Sequence, residues 1–112
     1  MKIAQMLNKD FQDSLIAIGQ QRMDMATALK LKKMVKKINE ELSNYNMVFD
    51  DIKKRNTKED GSVDQDAFNK EYGELVNLEV DLGKVHIDKI SHTSISVKDL
   101  ELLEPILEGL ES

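Results

Sequence analysis

Three groups of residues have the types and spacing to do chemistry. The first is Asp60-Gly61-Ser62-Val63-Asp64, which has the look of part of a calcium loop. Aligning Gly61 with the loop's obligatory glycine puts Asn56, Lys58 and Asp60 at the first three ligand positions. Ala67 then stands where a bidentate glutamate is required. A lysine among the ligands and an alanine at the closing position defeat the site, and the segment reads as a polar turn between helices. The second group is the two histidines, His86 and His92, with Asp81 and Asp88 nearby. Neither His-x-x-x-His nor Glu-x-x-His spacing is present, so a metal centre has little support. The third is Lys30, Lys33, Lys36 and Lys37, which could hold the phosphates of an anionic small ligand. No aromatic residue interleaves with them as a base-stacking surface requires, and lysines spaced this way usually form the solvated face of a helix.

Composition narrows the chemistry further. The chain lacks cysteine, which excludes a disulfide framework, a thiolate zinc site and a cysteine nucleophile. No glycine-rich phosphate loop or nucleophile motif occurs, and no pair of carboxylates is marked as buried, so the expectation is a non-enzymatic protein with no cofactor. The net charge of −5 is uneven. Residues 24–55 sum to about +3 (eight basic, five acidic), whereas residues 64–112 sum to about −8 (four basic, twelve acidic). An acidic chain with one basic helix is a poor general nucleic-acid binder. No run approaches the roughly 18–20 apolar residues that span a bilayer, and the start of the chain has no apolar signal-peptide stretch. The expected location is the cytoplasm.

At 112 residues, 40% apolar and 33% charged, the sequence predicts one helix-rich domain. With 4% aromatics and six methionines, its core must be aliphatic and adaptable. The strongest periodic signal is Ala28, Leu31, Val35, Ile38, Leu42, Tyr45, Phe49 and Ile52, spaced 3, 4, 3, 4, 3, 4, 3. This heptad stripe predicts a helix over 24–55, capped by Asp24 and about 48 Å long at 1.5 Å per residue. Its first half, Ala28, Leu31, Val35 and Ile38, is the candidate interaction seam, because a stripe so long must be covered by something.

The flanking elements follow from shorter patterns. Residues 1–23 hold a short helix with Asn8 as N-cap, Phe11, Leu15 and Ile18 on one face, and Gly19 at its end; Met1 to Ala4 reads as a short strand or a frayed start. A partner helix over 64–78, with Phe68, Tyr72, Leu75 and Leu78 inward, should fold back antiparallel on the Tyr45 to Ile52 end. Over 79–90 the period becomes two, predicting a β-hairpin turning at Gly83-Lys84 and pairing Leu82 with Val85; a single bent strand is the alternative. A last helix over 96–110 starts at Ser96, with Asp99 completing a capping box, and should break near Glu104 because Pro105 follows. The fold class is thus mainly α: an antiparallel helical hairpin with a small β-hairpin and a C-terminal helix.

The order of certain stretches carries a family resemblance. They are Leu29-Lys30-Leu31 through Glu40-Glu41-Leu42, Asp66-Ala67-Phe68-Asn69-Lys70-Glu71-Tyr72, Ile87-Asp88-Lys89-Ile90, and Ile95-Ser96-Val97-Lys98-Asp99 through Leu103-Glu104-Pro105. Together, from about Met23 onward, they resemble a family of small uncharacterised proteins encoded by phages and prophages of Gram-positive bacteria. The resemblance implies a phage protein acting in the host bacterial cytoplasm, and it transfers no functional residue. The function expected is binding of a host or phage target, as counter-defence that blocks an immune protein or sequesters its nucleotide signal. A minor virion component or an assembly chaperone is the alternative. Partners are expected to be proteins, including a second copy of the chain in a homo-oligomer.

Overall fold

The computed structural model describes residues 1–90 and 93–109. Five helices run in the order α1 (Ile3–Met6), α2 (Lys9–Gly19), α3 (Met25–Arg55), α4 (Gln65–Val76) and α5 (Val97–Leu103). Between α4 and α5 lie the strand β1 (Val85–His86) and a 3₁₀ turn, Ile87–Lys89; after α5 come a second 3₁₀ turn, Glu104–Ile106, and the strand β2 (Leu107–Glu108).

The long helix sets the shape. Nothing in residues 25–55 breaks it, since neither glycine nor proline occurs there. Asp24 caps its start, accepting from the Thr27 backbone N–H at 3.0 Å and from the Thr27 hydroxyl at 2.7 Å. At the other end Lys53, Lys54 and Arg55 occupy the last turn, where cations complement the helix dipole. The Asn56 side chain there donates to the carbonyl of Ile52 at 2.8 Å. Thirty-one residues make a rod of about 46 Å. The molecule accordingly measures 57 × 26 × 19 Å, with a radius of gyration of 17.2 Å. A compact domain of this length would have a radius near 13 Å.

Two cores are strung along the rod. At the base, Leu31, Met34 and Ile38 of α3 meet Phe11, Leu15 and Ile18 of α2, together with Val85, Ile90, Leu103, Ile106 and Leu107 from the C-terminal third. Leu31 and Ile38, in the N-terminal half of the stripe, are therefore covered from within the chain. At the tip, Ile52 and Leu75 are buried beside half-buried Tyr45, Phe49 and Phe68, with Ile3 at the inner edge. The antiparallel pairing of α3 with α4 is as predicted.

The β element differs from the predicted hairpin. Val85–His86 pairs in parallel with Leu107–Glu108, Val85 facing Leu107, and no turn forms at Gly83-Lys84 to pair Leu82 with Val85. Lys37 Nζ holds the Asp81 carbonyl at 2.6 Å, so the segment is fastened against α3. Leu82, Val85 and Ile87 pack on the base core, which satisfies their alternation without a cross-strand partner. A bare two-stranded ribbon would be marginal, and burial on a helix wins. His86, between two inward residues, points outward as the alternation requires.

Three boundaries also shift. α4 stops at Val76, leaving Leu78 outside the helix and 54% exposed while its carbonyl accepts from Ile3 N–H at 3.1 Å. The last helix is shorter than predicted: its capping box forms, but Pro105 diverts the chain into a 3₁₀ turn, and Leu107 is buried as part of β2. Gly19 closes α2 in ordinary right-handed geometry, with Gln20 as C-cap. His92 and Leu110 lie outside the described residues.

Candidate functional site

The buried face of α3 is not quite the predicted seam. Thr27, Leu31, Met34 and Ile38 are buried, whereas Ala28 is exposed and Val35 half-buried. Geometry explains the change. A straight helix drifts about 20° per heptad from a 3.5-residue repeat. The row Ala28, Val35, Leu42, Phe49, one residue every heptad, therefore winds across the surface. It starts outside the base core at Ala28 and ends against α4 at Phe49. Thr27 takes the inward place at the N-terminal end because its hydroxyl is bonded to Asp24 and brings no unpaired donor inside. Met34, which is not one of the heptad positions, is buried among them with 2% exposure.

The consequence is an apolar row that is only half covered. Between α2 and α3 it borders a dent of about 80 Å³, with Phe11, Leu15 and Ile16 on one side and Val35, Ile38 and Leu42 on the other. Gln12 and Asn39 are its polar lining residues. The volume exceeds the roughly 10–15 Å³ that one water needs on this measure and falls short of the roughly 150 Å³ of a cavity that takes benzene, so it suits one aliphatic side chain. Ile16 lies on the rim and is 54% exposed. Sequence reading passed over Ile16 because it falls off the Phe11–Leu15–Ile18 face. The available signal was an isoleucine standing next to that face with no partner in the pattern.

The four lysines do not converge. At about 100° per residue, Lys33 and Lys36 lie opposite the buried face, and Lys30 and Lys37 lie on the flank away from the open row. All four are exposed. Lys37 is engaged with the Asp81 carbonyl. Lys30 borders a shallow depression with Asp24, His86, Lys89 and Glu108, where opposite charges alternate.

Perturbed ionisations belong to helix ends and packing. The carboxyl of Asp99 is held below its usual range by the Ser14 hydroxyl, which donates at 2.6 Å, and by the Ser96 backbone N–H. Asp24 is lowered by the hydroxyl and N–H of Thr27, and Asp60 by those of Ser62. Thus Asp60, the centre of the calcium-like stretch, spends its carboxylate on tying its own turn, which Thr57 and Val63 close as a bridge. Tyr45 is pushed up to about 12 by burial and by its hydrogen bond to Tyr72. Among the described residues no group of three or more His, Asp or Glu side chains could hold a metal ion, and no helix is long and apolar enough to cross a membrane.

Larger depressions are open. One of about 510 Å³, between the start of α2 and the end of α5, is bordered by Lys84, Glu101 and Glu104 around Leu102 and Pro105. His86 is oriented by a local bond, its Nδ1 accepting from the Asp88 N–H at 3.1 Å. Its Nε2 edge is turned towards Gly109. Comparison with protein-family models, curated proteins and solved structures finds no match.

Proposed function

We propose that this chain is a non-enzymatic binding protein, encoded by a phage and acting in the host cytoplasm, whose working surface is the open row of α3. The observation that carries this reading is the combination of exposed Ile16, half-covered Val35 and Leu42, and an unfilled dent sized for one side chain. Such a surface recognises a helix carrying an aliphatic anchor, the recurring helix-in-groove mode. The phage setting rests on the sequence resemblance. Of the two forms of counter-defence, blocking an immune protein by contact fits this surface better than sequestering a nucleotide. The lysines that would grip phosphates point around more than one side of the helix.

The test is affinity purification of the tagged chain from infected cells, comparing two sets of variants. Val35→Glu with Leu42→Glu should abolish capture of the wild-type partner, and serine at Lys30, Lys33, Lys36 and Lys37 should leave it intact. The opposite pattern would move the site to the lysine face. A captured head or tail protein would place the chain in virion assembly.

A further inference from the structure

We infer that α4 is a displaceable cover: it opens as a unit while the base stays folded, and its release lengthens the open row of α3 from Val35 and Leu42 onto Tyr45, Phe49 and Ile52. The use of the opening rests on the row being the working surface; the opening itself does not.

The apolar row of α3 continues beneath α4. Val35 and Leu42, a heptad apart, are half-buried beside the dent. The next member of the row, Phe49, lies against Phe68 and Tyr72 of α4, with Tyr45 and Ile52 one turn to either side. At the tip α4 therefore takes the place that a target helix takes at the dent. Each is an apolar helix face laid along the same side of α3.

The cover is held lightly. Only Leu75 of its twelve residues is buried, and Phe68, Tyr72 and Val76 are half-buried. The eleven residues of α2, by contrast, bury Phe11, Ser14, Leu15 and Ile18. Opening a helix costs the burial that it gives up, so α4 should open far more readily than α2. The Arg55–Glu71 ion pair between α3 and α4, at 3.2 Å, joins side chains 63% and 34% exposed, and solvent screens it. Gly73 stands in the third turn of α4, where glycine weakens a helix relative to alanine. A Cβ there would meet nothing within 4 Å outside the helix's own backbone, so packing does not require the glycine.

Both ends of the cover are fastened independently of it. The turn before α4 is closed by the Lys58 N–H donating to the Ser62 carbonyl at 2.7 Å and by the bridge between Thr57 and Val63. Beyond it, the Leu78 carbonyl accepts from the Ile3 N–H. With these ends fixed, α4 can leave α3 and return without the turn or α1 unfolding.

Amide exchange in the full chain reads the opening. Protection in α4 should be roughly a hundredfold below that of Leu15 and Ile18 in α2. Gly73→Ala should raise it about fivefold, the factor set by the propensity difference. Gly73→Pro removes a helix bond and clashes with the preceding turn, so it should abolish protection in α4 while α2 stays protected. The dye anilinonaphthalene sulfonate, which lights up on exposed apolar surface, then probes the uncovered row. Its emission should rise about threefold with Gly73→Pro, and adding Leu42→Gln should remove most of that rise. Equal protection in α4 and α2, or no gain from Gly73→Ala, would overturn the opening. No rise in emission, or a rise indifferent to Leu42→Gln, would overturn the joined surface. Capture that still depends on Val35 and Leu42 would then leave the row standing as a contact surface. Capture that ignores them would remove that reading without touching the opening.

Discussion

The base and the tip of the rod are built from the same helix but stabilised in different ways. At the base, α3 is one wall of a core to which α2, β1, α5 and β2 all contribute, drawn from both ends of the described chain. Its residues are aliphatic except for Phe11, and several are almost fully enclosed. At the tip, α3 is covered mainly by α4, reached through a short turn, with Ile3 of α1 at the inner edge. There four of the five aromatic residues gather. Phe49 meets Phe68 and Tyr72 edge-on at centroid distances of 5.8 and 6.0 Å, and Phe68 stacks on Tyr72. The contrast shows how a thin protein divides its labour. Wide aliphatic burial anchors the rod, and a few large rings stiffen its far end where only one helix can cover it.

Breaking each region should give effects of different size. Phe11→Ala removes a fully buried ring from the base and should cost about 3–5 kcal/mol, seen as a large drop in the urea midpoint of the whole protein. Phe49→Ala acts on a half-buried ring and should cost about 1–2 kcal/mol, with hydrogen-exchange protection lost first in α4. Gly109→Ala tests the seam that fastens the C-terminal segment to the base. Its φ is +85°, and a methyl group there would lie 2.7 Å from His86 Nε2. A loss of about 1–3 kcal/mol is expected, with faster amide exchange at Val85 and Leu107.

Titration separates the regions by pH. A tyrosine raised in the folded state stabilises the fold fully below its unfolded value and loses that contribution as pH climbs through the raised one. The tip should therefore loosen between about pH 10 and 12 in the native protein, and Tyr45→Phe should remove that step. The depressed carboxyls of Asp24 and Asp99 work in the opposite sense. They stabilise the base above the ordinary carboxyl range, and that contribution is lost on acidification below about pH 4. Ser14→Ala, the smallest change, should cost about 1 kcal/mol and shrink the acid step.

What the sequence made legible was mostly local. Asn8, Asp24 and Ser96 were readable as caps because each acts on N–H groups two or three residues away. Pro105 was readable as a break for the same reason. The partner of Val85 was not legible, because it lies beyond the 3₁₀ turn and α5, and two-residue strands leave almost no pattern. The open row was half legible. Regular spacing announced the stripe, but the drift of a straight helix, and the ability of Thr27 to hide its hydroxyl on Asp24, decided which residues faced inward. Ile16 was invisible as a surface feature until α2 had been placed against α3.

The most direct test of the proposed surface is solvent access at the methyl groups of the open row, read by NMR with a soluble paramagnetic probe before and after addition of the captured partner. The expected result is that Ile16, Val35 and Leu42 become shielded in the complex while Leu29 and Met47, exposed elsewhere on α3, stay accessible. Shielding at Leu29 and Met47 instead, or no change at Ile16, Val35 and Leu42, would contradict it.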